Sequence, residues 1–189
     1  MLVNSKPSLP GPLATRRQIL TGGALAIAGI ALHPSAGRAE PNDEISRVAE
    51  SIHQERHFGA SPKRVYDALT VTRQFDKIIQ LTGVMQSAAL AKMQKPTDIS
   101  QRLGGAFVLF GGYISGRQIE LVQNELIVQA WRVGNWDRGV YSIARFELIA
   151  QGRSTKIIFD HAGFPKGAAE HLASGWQENY WDPLAKFLS

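Results

Sequence analysis

Histidines and neighbouring carboxylates are the residues of this chain best able to move a proton, and their placement decides whether they can. Asp160 and His161 adjoin near the end of a strand-like run, and Glu170, His171 and Glu178 follow along the C-terminal segment. A carboxylate–imidazole pair for general acid–base work could be drawn from this set. Successive side chains of a strand point to opposite faces, however, so Asp160 and His161 cannot act on one substrate unless a bulge intervenes. Glu170 and Glu178 read as solvent-facing. His53 and His57 lie four residues apart in another strand-like stretch, about 13 Å by rise alone, which is too far to share a metal. The chain has no cysteine, which excludes thiolate metal sites, iron–sulfur clusters, disulfides and cysteine nucleophiles. No HExxH, Walker loop or GxSxG occurs, and Gly104, Gly105, Gly111 and Gly112 read as hairpin ends, not a phosphate cradle. The sequence thus commits no catalytic set, no metal site and no cofactor.

The aromatic residues say more. "GWQENYWDPLAKFLS" places Trp176, Tyr180 and Trp181 within six residues of the C-terminal segment, too much apolar surface to leave in water. With Tyr113, Trp131, Trp136, Tyr141 and Phe159 upstream, Trp176 and Tyr180 form a candidate lining for a pocket that takes a small hydrophobic or aromatic ligand. The competing reading is a filled core. Trp131 and Trp176 are expected to face the same space. Arg132 falls opposite Trp131 by alternation and reads as exposed, whereas Arg145 and Glu147 become polar anchors if they point inward.

The elements that must position these rings follow from periodicity. Ser51–Phe58 alternates as an edge strand. Ser61 is a candidate N-cap with Pro62 at the first helical position, and Val65, Ala68 and Leu69 continue at helical spacing. A second short helix is expected around Arg73–Leu81, and the stretch Thr82–Ser100 reads as helix or flap. From residue 104 to about 162, alternating apolar residues broken by Gly111-Gly112, Gly116, Asn124 and Gly152 predict five or six consecutive antiparallel strands, a meander. A long helix is expected over about Lys166–Leu188, with Leu172, Trp176, Tyr180 and Leu184 on one face and Trp181 and Leu188 widening it. Pro183 should kink that helix.

Charge is uneven along the chain. The formal net charge is +5, yet residues 1–39 hold Lys6, Arg16, Arg17 and Arg38 with no acid, so residues 40–189 carry 17 basic against 16 acidic side chains. Such a balance, without a basic run interleaved with aromatics, argues against a nucleic-acid partner. Arg16 and Arg17 precede a mild apolar run from Ile19 to Leu32, and small residues end at Ala39. The run is shorter than the ~20 residues a bilayer span needs. Thr15-Arg16-Arg17-Gln18-Ile19-Leu20 resembles a twin-arginine signal peptide. The resemblance implies residues 1–39 as signal peptide, cleavage after Ala39, use of the twin-arginine export machinery, a periplasmic or other extracytoplasmic location and no membrane span in the mature chain. Residues 40–50 then form a polar lead-in and 51–189 the folded domain.

"FGASPKRVYDALT", the strand-rich middle with Gln129-Ala130-Trp131-Arg132, "TKIIFDHAGFP" and the Gly175-Trp176, Tyr180-Trp181, Pro183-Leu184 pattern together resemble the START-like SRPBCC superfamily. Within it, they resemble the domain named for homologues of the activator of the 90-kDa heat-shock protein ATPase. The resemblance covers about residues 52–188. It implies an α+β helix-grip fold, a curved antiparallel sheet wrapped around a long C-terminal helix, and a non-catalytic protein that holds a small hydrophobic ligand between them. The segment Leu81–Ile99 lacks the tryptophan pair of many relatives. The resemblance also leaves a chaperone-activating interaction module as an alternative, against which export argues, and a START-type cyclase or hydrolase as a lesser one.

Overall fold

Alternation of apolar and polar residues dominates the second half of the chain, and it builds one antiparallel sheet. The computed structural model describes residues 50–83 and 95–189. The signal peptide and cleavage point expected from the sequence, residues 40–49 of the expected lead-in and most of the stretch read as helix or flap lie outside the described residues. The strands are β1 (Ser51–Phe58), β2 (Asp98–Ile99), β3 (Ala106–Leu109), β4 (Ile114–Val122), β5 (Leu126–Val133), β6 (Ser142–Gln151) and β7 (Ser154–Ala162). They form a curved seven-stranded sheet in the order β1-β7-β6-β5-β4-β3-β2, so the meander and the edge position of β1 are both as expected. The residues Asp98–Ile99 pair with β3 as strand, a departure from the helix or flap expected there.

Turn chemistry fixes the register. Gly152 takes φ 64° in the two-residue loop closing β6 onto β7. Asn124 adopts φ 65° between β4 and β5, a conformation asparagine tolerates better than most residues. A register shift between Gln118 and Glu120 resets the alternation, placing Ile119 in water and turning Leu121 back toward the core. Gly116 has a steric reason: a Cβ there would sit 2.0 Å from the Ala130 carbonyl oxygen and 2.4 Å from the Phe107 ring. Gly116→Ala is therefore expected to cost about 2 kcal/mol, measurable by chemical denaturation; an unchanged midpoint would mean that both the Phe107 ring and the β5 backbone at Ala130 give way.

The helices α1 (Pro62–Thr70) and α2 (Thr72–Gln80) follow β1. Ser61 caps α1 through its hydroxyl, which accepts from the Arg64 N–H at 3.4 Å. The C-terminal helix has three parts: α3 (Ala169–Trp176), a five-residue π turn (Gln177–Trp181) and α4 (Asp182–Leu188). It begins three residues later than expected. Its first turn is capped from a distance by Glu50, whose carboxylate accepts from the Gly167 and Ala169 N–H groups at 2.8 and 3.3 Å. The effect expected of Pro183 is expressed as a widened turn. Proline cannot donate to the carbonyl four residues back, and in the turn before it the Asp182 N–H reaches Gln177 O. The wider turn brings Trp181 onto the same face as Trp176, their rings stacked at 5.9 Å and 24°. Leu172, Trp176, Tyr180, Trp181, Leu184 and Leu188 are all buried, and α4 lies against α2 and α1.

Candidate functional site

Alternation sends one set of side chains from each strand toward the C-terminal helix. Along β5 these are Ile127, Gln129, Trp131 and Val133; along β6 Ser142, Ala144, Phe146 and Leu148; along β7 Thr155, Ile157, Phe159 and His161. The C-terminal helix lays Trp176, Tyr180 and Trp181 on them. Trp176 is the hub, with ring centroids 5.4 Å from Trp131, 4.4 Å from Phe159, 5.7 Å from Phe146 and 4.2 Å from Tyr180.

Of the residues singled out from sequence, Trp131, Phe159, Trp176 and Tyr180 meet in this cluster, and Trp136 joins it edge-to-face on Trp131 at 5.7 Å. Tyr113 is half-buried against the core just after the β3–β4 turn. Tyr141 does not join: it is 47% exposed, and the Arg132 guanidinium lies 5.7 Å from its ring centre. The reason is parity, since Ser142 faces inward and its neighbour must face out. Arg145 and Glu147 likewise point away from the cluster and pair with each other at 2.8 Å, so neither serves as an inward anchor. Asp160 and His161 diverge as expected, with Asp160 meeting His53 at 2.7 Å in solvent.

His161, in contrast, is fully buried and forms a directional chain. The Trp176 indole Nε1–H donates to His161 Nδ1 at 3.0 Å. Nδ1 is thus the acceptor and Nε2 carries the proton, directed at Ser142 Oγ 2.6 Å away. Ser142 Oγ in turn donates to the Trp131 carbonyl oxygen at 3.0 Å. Every polar atom of the chain is used. Burial away from charge pulls the imidazole down to a pKa of about 4, so the ring is neutral at pH 7. A hydroxyl beside an imidazole invites a nucleophile reading, but Ser142 is 1% exposed and its proton is committed to a backbone carbonyl.

Other polar atoms on the same inner face are unsatisfied. Trp131 Nε1, Tyr180 OH and Gln118 Nε2 are buried without a hydrogen-bond partner. Trp131 Nε1 lies near enough to the Tyr180 hydroxyl to favour its ionised form, yet burial dominates and pushes that hydroxyl's pKa well up. Tyr180 therefore stays a protonated donor. Gln118 accepts from Gln129 Nε2 at 3.2 Å through its oxygen, leaving its own amide N–H groups free. An unpartnered buried donor costs about 1–3 kcal/mol, so three on one face call for an explanation. Phe110 adds strain beside them: its φ is 50°, and its ring packs 5.5 Å from Tyr180.

His161, Ser142, Gln118, Gln129, Phe146 and Trp181 were not among the pocket candidates drawn from the sequence. Parity could have found most of them. An inward Trp131 makes Gln129 inward, and an inward Phe159 makes His161 inward. Elsewhere, an open groove of 480 Å³ lies at the α1–α2 junction, lined by Thr70 to Gln74, Ile99 and Gln101; it includes none of these aromatic residues.

Comparison with known proteins fits this architecture. Residues 59–189 match the family described as Activator of Hsp90 ATPase homolog 1-like protein. Among similar proteins are the activator of 90 kDa heat shock protein ATPase homolog 2 of Mus musculus and homolog 1 of Homo sapiens. The mouse protein is 28% identical over 64% of this chain and 38% of its own length. The human protein is 27% identical over 67% of this chain and 33% of its own length. This chain therefore spans about a third of the length of these curated relatives. An Hsp90 activator from Plasmodium falciparum superposes with TM-score 0.60 at 22% identity, covering 73% of this chain and 95% of that one. CalU16 from Micromonospora echinospora superposes with TM-score 0.58 at 20% identity, covering 75% and 77%. Both likenesses speak to the fold. With more than half of its length matched by one family and the helix-grip sheet and helix in place, the chain belongs to the Activator of Hsp90 ATPase homolog 1-like protein family.

Proposed function

We propose that this protein is an exported, non-catalytic binding domain that holds a small hydrophobic or aromatic molecule between the inner face of its sheet and its C-terminal helix. The observation that supports this reading is the pair of unpartnered polar tips, Trp131 Nε1 and Tyr180 OH, buried among aromatic rings. Apolar walls with a few unsatisfied polar groups are what a small-molecule site needs for affinity and orientation together. Native mass spectrometry of the domain purified from its exported fraction tests the reading. A stoichiometric small molecule released on denaturation is expected; a protein that carries nothing, and takes up no hydrophobic probe afterwards, refutes it.

Export rests on the twin-arginine resemblance of residues 15–20. Changing Arg16 and Arg17 together to lysine is expected to leave full-length protein in the cytoplasm, read by fractionation and immunoblotting, and undiminished export of the double variant overturns that part. A protein-interaction role has one observation in its favour, that the mouse and human relatives are named as activators of an ATPase. A pull-down with the 90-kDa chaperone, read alongside the ligand analysis, separates the two roles.

A further inference from the structure

The unpartnered atoms on the inner face share a chemistry. An indole N–H can only donate, an amide nitrogen only donates, and the phenol has a proton to give. Trp131 Nε1, Gln118 Nε2 and Tyr180 OH are thus three donors without a well-formed hydrogen bond, and the acceptor near Trp131 Nε1 is the Tyr180 hydroxyl oxygen, whose own proton has no partner. Their placement is contiguous. Gly116 pairs with Trp131 and Gln118 with Gln129 across β4 and β5, so Gln118 and Trp131 are diagonal neighbours on one face. Tyr180 reaches the same region from the π turn, and both Tyr180 and Trp131 pack on Trp176. The other unpartnered atoms lie elsewhere: Arg56 Nε on β1, Asn124 Oδ1 in the β4–β5 turn, Arg132 Nε beside outward Tyr141, and Asn179 Oδ1 on the helix.

Charge is sparse on this face among the described residues. Among the inward positions of the described strands, Arg56 alone carries one, and its guanidinium is engaged with Gln177 Oε1 at 2.7 Å and Glu55 O at 2.8 Å. β1 is separated from β5 by β7 and β6. A carboxylate placed at the donors would be buried without a counter-charge, which is costly. A neutral carbonyl oxygen offers two lone pairs and needs no counter-charge.

From this geometry we infer that the ligand is a neutral, ring-bearing carbonyl compound whose oxygen accepts from Tyr180 OH and Trp131 Nε1. Gln118 extends the donor face beside them. The inference rests on the ligand-binding reading above and adds to it the chemical class.

A matched series tests it, using the full mature domain and calorimetric titration with 2-acetylnaphthalene, 2-ethylnaphthalene and 2-naphthoate. The ketone is expected to bind about tenfold more tightly than the hydrocarbon, the worth of about one net hydrogen bond, and the carboxylate more weakly than the ketone. Tyr180→Phe keeps the ring and removes the donor. It is expected to shrink the preference for the ketone over the hydrocarbon to about twofold and to raise the Tm of the empty protein by about 4 °C because an unsatisfied buried hydroxyl is gone. Trp131→Phe supplies an independent check on the second donor. Equal binding of ketone and hydrocarbon overturns the carbonyl assignment while leaving ligand binding standing. Tightest binding of the carboxylate overturns neutrality. A ketone preference that survives in both variants overturns the donor assignment. Failure of all three compounds to bind overturns this inference together with the ligand-binding reading.

Discussion

Trp176→Ala is expected to lower the unfolding free energy by about 5 kcal/mol. Trp176 is 2% exposed and packs against Trp131, Phe146, Phe159, Tyr180 and Trp181, and truncating such a ring to alanine typically costs about 3–5 kcal/mol. The substitution also removes the donor to His161 Nδ1, leaving a buried acceptor unpaired at about 1–3 kcal/mol. The upper part of the combined range is tempered by partial collapse of the cluster. Trp176→Phe separates the two contributions, since it keeps an aromatic ring but lacks the indole N–H, and a loss of about 2 kcal/mol is expected. Urea unfolding of the three proteins at pH 7 measures both effects. A loss below about 2 kcal/mol for the alanine variant would mean that the helix is not held by this ring.

Acidification is expected to weaken the fold through His161. The imidazole falls from its ordinary 6.5 to about 4 on folding because burial disfavours its charged form. Between those two values the unfolded chain binds more protons than the native one, so stability rises with pH across the interval. The contribution is fully present above pH 6.5 and is lost as the pH falls toward 4. A shift of about 2.5 units corresponds to a contribution on the order of 3 kcal/mol. The hydrogen-bond chain gives the same sign, because a proton on Nδ1 would face the Trp176 N–H head-on. Other groups titrate in the same range, so the comparison is with His161→Gln, which has a donor and an acceptor but no proton to gain. Unfolding free energies at pH 7, 5.5 and 4 should fall more steeply for the wild type than for the variant. Parallel slopes would show that His161 is charged in the fold or free to leave its pocket.

The meander, the edge position of β1 and the aromatic face of the last helix were legible in sequence because each rests on local periodicity. Trp131 and Phe159 alternate with polar neighbours, and Leu172, Trp176, Tyr180 and Leu184 recur every four residues. Tyr141 was misplaced because it is aromatic but sits on the outward parity, set by Ser142 and not by its own side chain. Arg145 and Glu147 follow the same rule and found each other in solvent. The π turn was hidden for a different reason. Pro183 announces a lost hydrogen bond, but whether a helix answers by bending or by widening depends on what packs beside it, here Trp181 on Trp176.

By itself the sequence determined which side chains would leave water and with what period. Those are properties of a residue and its near neighbours, governed by hydrophobicity and backbone geometry. Tertiary structure decided which polar atoms among them would be satisfied. His161 gains partners from Trp176 and Ser142, each more than a dozen residues away, while Trp131 Nε1, Tyr180 OH and Gln118 Nε2 gain none. Hydrogen bonds are short-ranged and directional, so whether two distant residues meet within 3 Å is settled only by the register of β4 to β7 and by the depth at which the C-terminal helix lies on them.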